Sequence, residues 1–203
     1  WRGTEGGTAA ARQGHDAVMT PISQTYFNCY QGKEDLEPLA AGGYLPVSKV
    51  YSFEPVPEGL TQEEANHILG AQGCLWGEFI LSPEQAEYMV LPRIAALAEV
   101  VWSPKESRNW SDFAGRLEHQ MKRYEASGYT YAKSAYLVTI LPSVDSAKKH
   151  VKLTLANEMN FPSIRYTLGE SEPTMASHLY KSPIAISKTT TVKAGAFYKG
   201  ALL

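Results

Sequence analysis

The sequence predicts an α/β chain that passes into a small all-β sandwich, and three patterns carry this expectation. Short apolar runs at Ala17-Val18-Met19-Thr20 and from Ile68 to Trp76 read as buried parallel strands, each closed by a turn or loop signal. Helical spacing dominates from Ser82 to Ala126. Beyond Ser134 the apolar period drops to two, so residues 1–133 and 134–203 are expected to form separate domains.

Residues 4–14 are small and alanine-rich, which suits a short helix stopped by Gly14. The strand over 17–20 ends at Pro21, which cannot donate to a ladder. Residues 21–60 are rich in proline and aromatics without a sustained period. They read as a long, structured loop with a short helix near Val47–Ser52. Thr61-Gln62-Glu63-Glu64 has the form of a helix start with acids in its first turn, ahead of the Ile68–Trp76 strand.

From Ser82, the residues Val90, Ile94, Leu97, Ala98 and Val101 are spaced to pack inward, and Pro92 should kink or divide the helix. Trp110 to Ala126 places Phe113, Leu117, Met121 and Tyr124 on one side, with Ser111 as the expected cap and Ser127-Gly128 as the stop. Trp102 and Trp110 are read as core packing. In the β region, Val151, Leu153 and Leu155 alternate with polar residues, as do Ile164, Tyr166 and Leu168, and a last strand is expected at Val192–Tyr198. Lys188 and Lys193, beside Thr189-Thr190-Thr191, read as a solvated, lysine-guarded strand edge.

The composition narrows the function. With 203 residues and 44% apolar content the chain can build a real core. A net charge of −2 without any Lys/Arg block argues against nucleic acid or an anionic membrane as partner. No apolar run approaches the roughly 18 residues of a membrane span. Cys29 and Cys74 fit two buried thiols better than a disulfide scaffold, and the five scattered histidines have no metal-ligand spacing, so neither metal nor cofactor is expected. No Gly-x-Ser-x-Gly elbow, phosphate loop or Cys-His pair is present.

The informative stretch is Gly70-Ala71-Gln72-Gly73-Cys74-Leu75-Trp76-Gly77-Glu78, where an apolar strand ends in an indole beside a carboxylate. A pyranose lays its C–H face on an aromatic ring and offers rim hydroxyls to a carboxylate. Thr25-Tyr26-Phe27-Asn28 follows the other strand closely, putting a phenol and an amide at the same mouth. Taken singly, Trp76 reads as core or rim packing, Glu78 as a solvated charge, Tyr26 as packing and Asn28 as turn chemistry.

Several ordered motifs together resemble the family 20 glycoside hydrolases, the β-N-acetylhexosaminidases. They are Trp1-Arg2-Gly3, Val18-Met19-Thr20-Pro21, Tyr26-Phe27-Asn28, Gly42-Gly43-Tyr44-Leu45-Pro46, Val50-Tyr51-Ser52-Phe53-Glu54-Pro55, Trp76-Gly77-Glu78, and Pro92-Arg93 through Ala98-Glu99-Val100-Val101-Trp102. Residues 166–174 with Tyr180 and Pro183-Ile184 resemble the β-sandwich that often follows the barrel in these enzymes. The resemblance implies that residues 1–133 are the C-terminal portion of a (β/α)8 TIM barrel whose N-terminal half is missing here. It also implies a periplasmic or extracellular location and N-acetylhexosamine-containing glycans as partners.

In this family the substrate's own 2-acetamido oxygen attacks the anomeric carbon while a Glu protonates the leaving oxygen. By resemblance, Tyr26 is the catalytic Tyr that donates to the acetamido oxygen, and Asn28 binds a sugar hydroxyl. Trp76 walls the pocket, Glu78 accepts from the O4 and O6 hydroxyls, and Trp1 is a further pocket indole. The family's Asp-Glu pair, preceded by Gly-Gly, is absent from the sequence, as is its sugar-clamping Arg. The chain alone is therefore expected to be an inactive fragment. The rival reading is a non-catalytic carbohydrate-binding or scaffold protein that keeps the pocket wall.

Overall fold

A computed structural model describes residues 1–145, 150–159 and 163–203, which divide into two compact units, Trp1–Ser134 and Ala135–Leu203. The first unit opens with α1 (Glu5–Arg12), stopped where Gly14 takes a φ of +74°. Strands β1 (Ala17–Met19) and β2 (Ile68–Ala71) pair in parallel, with Met19 opposite Ala71. Each is shorter than the sequence suggested. Expected to be buried, β1 leaves Val18 half exposed and packs Met19 inward against the α1 side, where its sulfur blocks any side chain at Gly7.

Between the strands lie a single turn α2 (Ile22–Thr25) and a helix α3 (Val47–Tyr51), then α4 (Gln62–Ala65). The last of these begins with a reciprocal capping box: Glu64 N–H donates to the Thr61 hydroxyl, and Thr61 N–H donates to the Glu64 carboxylate. Pro92 divides the next helical run into α5 (Pro83–Val90), capped by Ser82, and α6 (Arg93–Trp102). The buried face of α6 is Arg93, Ala96, Leu97 and Val100; of the predicted stripe Leu97 packs inward, whereas Ile94, Ala98 and Val101 are exposed. Trp102 is also exposed, at 86%, which corrects its reading as core.

The last helix, α7 (Trp110–Ala126), has the expected bounds and buries Phe113, Leu117, Met121 and Tyr124. Its cap is Asn109 instead of Ser111: the Asn109 side chain accepts from Asp112 N–H at 3.0 Å, because only that residue keeps the extended backbone that caps require.

Helices α3, α6 and α7 are joined by one polar network. The Tyr51 ring stacks on Phe113 at 4.5 Å, and its hydroxyl donates to Glu99 at 2.8 Å. Burial and the Glu99 carboxylate push the Tyr51 hydroxyl up to about 12, so it remains a donor. Burial works against charge on Glu99, but hydrogen bonds from Arg116 and Tyr51 outweigh it and hold the carboxyl below the usual Glu value. Its stabilisation is therefore complete above the unfolded-state value and is lost as pH falls through the depressed folded one. Glu99→Gln should destabilise the protein by about 1 kcal/mol at neutral pH, a small value because the Arg116 side chain is half exposed. Urea unfolding across the acid range should show the variant and wild type converging; a constant gap would refute the assignment.

The second unit is all antiparallel. Strands β3 (Thr139–Asp145), β4 (His150–Ala156) and β7 (Ile184–Ile186) form one sheet in the order β3-β4-β7. Strands β5 (Ser163–Leu168), β6 (His178–Leu179), β8 (Val192–Tyr198) and β9 (Ala201–Leu202) form another, ordered β6-β5-β8-β9. Leu153 and Leu155 alternate inward as predicted, joined in the core by Met159, Ala196 and Phe197. Alternation is weaker in β5, where Leu168 is half exposed. Lys193 pairs with Glu172 at 2.6 Å. Among the described residues, no helix is long and apolar enough to cross a membrane.

Candidate active site

The two strand ends named by the sequence meet beyond the C-terminal ends of β1 and β2. Pro21 starts the α2 turn, and the buried Thr25 hydroxyl donates back to the Pro21 carbonyl at 2.8 Å, which delivers the chain to Tyr26 in an extended conformation. Here the parallel pairing resumes as an isolated bridge between Tyr26 and Cys74. Cys74 N–H donates to Thr25 O at 2.8 Å, and Phe27 N–H donates to Cys74 O at 2.7 Å. The phenol of Tyr26 and the indole of Trp76 then stand 6.1 Å apart at a tilt of 46°, within aromatic contact.

Past Tyr26 the chain turns, with Cys29 N–H donating to Tyr26 O at 3.2 Å, and the residues from Phe27 to Tyr30 are all buried. Tyr26 is half-buried, Phe27 is buried, and Asn28 is 93% enclosed, being 7% exposed. The Asn28 Oδ1 has no hydrogen-bond partner among the described residues. Buried amides are rarely left so, since an unmet acceptor costs about 1–3 kcal/mol. A sugar hydroxyl, which both donates and accepts, would satisfy either end of that amide. Trp76 is half exposed, and Glu78 lies in the following one-turn 3-10 segment, Gly77–Phe79, with its side chain in solvent. Trp1 is 64% exposed; its carbonyl accepts from Ile22 N–H at 3.1 Å, tying its backbone to the α2 turn, while its ring faces the Arg2 guanidinium at 5.1 Å. The structure thus brings Tyr26 and Trp76 into contact, with Asn28 and Glu78 each two residues further along the same segments. No ring contact joins Trp1 to them among the described residues.

Behind Asn28 the loop folds back on itself. Ala41 N–H donates to Asn28 O, Tyr30 N–H to Gly43 O, and Leu45 N–H to Tyr30 O. The reversal uses Gly42 and Gly43 at φ of +85° and +73°, a region that side chains disfavour. Cys29 is buried as expected, whereas Cys74 is only half-buried; burial pushes both thiols up, so neither supplies a thiolate nucleophile at neutral pH.

Two residues that the sequence reading did not single out for the site hold this loop. Arg93, fully buried at the start of α6, donates through Nη1 to Cys29 O at 3.0 Å and Leu45 O at 3.2 Å. Its Nη2 donates to Phe27 O and Met89 O, and its guanidinium lies 5.1 Å from the Phe27 ring centroid. Gln31 donates from Nε2 to Tyr88 O at the end of α5. A signal for Arg93 was available: a cation at a helix N-terminus opposes the helix dipole, so it needs partners elsewhere.

Comparison with known proteins identifies the family. The profile of the glycosyl hydrolase family 20 catalytic domain matches residues 1–105, and an Fn3-associated profile matches residues 151–202. A beta-hexosaminidase of Porphyromonas gingivalis is 34% identical over 199 residues, covering 95% of this chain and 25% of that protein. A beta-N-acetylhexosaminidase of Cellulomonas fimi is 30% identical over 130 residues, covering 62% of this chain and 25% of the relative. The chain thus spans about a quarter of the length of these curated relatives. Among solved structures, a Vibrio harveyi exo beta-N-acetylglucosaminidase in complex with N-acetylglucosamine aligns with a TM-score of 0.59 and 33% identity, over 66% of this chain and 21% of its own. A Streptomyces coelicolor beta-N-acetylhexosaminidase aligns with a TM-score of 0.55 and 31% identity, over 63% of this chain and 26% of its own.

Proposed function

Because the chain belongs to glycosyl hydrolase family 20, we propose that residues 1–133 form the C-terminal part of a (β/α)8 barrel in a longer β-N-acetylhexosaminidase. Residues 134–203 would form a separate β-sandwich domain. The observation that carries the proposal is the Tyr26–Trp76 contact beyond the C-terminal ends of two parallel strands, the end of such barrels where chemistry is done.

In the proposed reaction the 2-acetamido oxygen of a terminal N-acetylhexosamine attacks the anomeric carbon and the glycosidic bond breaks. The leaving oxygen takes its proton from a carboxylic acid outside this chain. The Tyr26 hydroxyl donates to the acetamido oxygen and aims it at the anomeric carbon; Trp76 walls the pocket, and Trp1 adds a second indole. Asn28 and Glu78 bind sugar hydroxyls, and this is recognition, not acid catalysis. Water then opens the oxazolinium-like intermediate with retention. A periplasmic or extracellular location belongs to the same reading and is checked by cell fractionation.

The test is hydrolysis of 4-nitrophenyl N-acetyl-β-D-glucosaminide by this chain and by the intact polypeptide that carries it. The intact polypeptide should turn over and the isolated chain should not. Turnover by the isolated chain that survives repurification would overturn the assignment of the acid to another segment. An intact polypeptide that binds N-acetylglucosamine at millimolar strength or better without any hydrolysis would favour a non-catalytic sugar-binding protein.

A further inference from the structure

The loop that carries Tyr26 and Asn28 is held by a buried cation that touches no solvent. Arg93 donates to Phe27 O and Cys29 O, the two carbonyls that flank Asn28, and to Leu45 O, where the loop returns. It is itself seated on Met89 O near the C-terminal end of α5, where the helix dipole favours positive charge. Gln31 ties the same loop to Tyr88 O, one residue earlier on α5.

We infer that this α5–α6 corner, through Arg93 and secondarily Gln31, is the positioning element for Tyr26 and Asn28, an inference that rests on the hexosaminidase reading above. The route is short. The peptide leaving Tyr26 is fixed by the Phe27 N–H to Cys74 O bond, and the next peptide is fixed by Phe27 O on Arg93. Two consecutive peptide planes are therefore set, one by the strand that leads to Trp76 and one by the guanidinium. Together they fix the backbone from which the Tyr26 phenol and the Asn28 amide project. A fully buried guanidinium is costly unless its donors are met, and most of these donors go to the site loop. A lysine could not replace it, since an ammonium cannot span carbonyls that a planar fork reaches at once. Misplacing a reacting group by about 1 Å can cost on the order of a hundredfold in rate.

The experiment is a double-mutant cycle of Arg93→Lys and Tyr26→Phe in the intact polypeptide, with kcat and KM measured on 4-nitrophenyl N-acetyl-β-D-glucosaminide. Arg93→Lys is expected to lower kcat at least tenfold while KM changes less than threefold. Its effect should largely vanish once the Tyr26 hydroxyl is gone, because both changes remove the same alignment. A generally damaged fold would instead give effects that multiply. If Arg93→Lys does not yield folded protein, Gln31→Ala takes its place in the cycle, with a several-fold loss of kcat and the same non-additivity expected. Wild-type kcat in the folded variant, or effects that multiply, would overturn the positioning role alone. A wild-type polypeptide inert on the substrate would remove the hexosaminidase reading and this inference with it.

Discussion

Tyr26→Phe in the intact polypeptide is expected to lower kcat by about 10²–10³, the range found when one preorganised donor is taken from a charge-developing centre. The substitution removes a single oxygen. The ring stays to pack against Trp76 at 6.1 Å, and the backbone bridge to Cys74 involves no side-chain atom. Folding should therefore be unaffected, and thermal unfolding should shift by no more than a degree or two. The loss should fall on kcat more than on KM. On the proposed reading the hydroxyl's bond to the acetamido oxygen would aim an internal nucleophile, and a ground-state sugar would retain Trp76, Asn28 and Glu78. Steady-state kinetics of the folded variant decide the matter: activity within threefold of wild type would mean that Tyr26 only packs.

Legibility in the sequence followed the strength of each local signal. Helix α7 was legible to the residue, because Phe113, Leu117, Met121 and Tyr124 make a face that nothing on the opposite side imitates. Helix α6 was legible as a helix but not as a face. Its residues are apolar nearly all round, so periodicity could not say which side packs inward, and the residue that decides it, Arg93, is charged. The strand over 68–76 was overextended because its apolar character continues through Leu75. The regular ladder, however, stops at Ala71, and only the single bridge at Cys74 follows.

The site divides in the same way. Tyr26, Asn28, Trp76 and Glu78 stood out because a phenol, an amide, an indole and a carboxylate lie just past strand ends. Their support did not stand out. Arg93 and Gln31 act through backbone carbonyls, and a carbonyl accepts without regard to the residue that carries it, so no pairing of side-chain types could announce them.

The same packing makes Gly73→Val the most disruptive small change in this region, with an expected loss of about 3 kcal/mol, on the order of a hundredfold in the folding equilibrium. A Cβ at Gly73 would sit 2.6 Å from Cε2 of Phe27, with the ring's Cζ and Cδ2 at 3.0 and 3.1 Å. The ring cannot swing away into solvent, because Phe27 is 1% exposed. Nor can it yield freely toward its face, where the Arg93 guanidinium lies 5.1 Å from the centroid and is pinned by four carbonyls. Moving the segment instead would break the Phe27 N–H to Cys74 O bond, which sets the spacing between Tyr26 and Trp76. Strain introduced on the β2 side is thus passed to the Tyr26 phenol. Thermal unfolding of the intact polypeptide should show a midpoint lowered by several degrees, with kcat reduced in whatever protein remains folded. A variant with an unchanged midpoint would show that Phe27 has room to move and that the clamp around it is looser than these distances require.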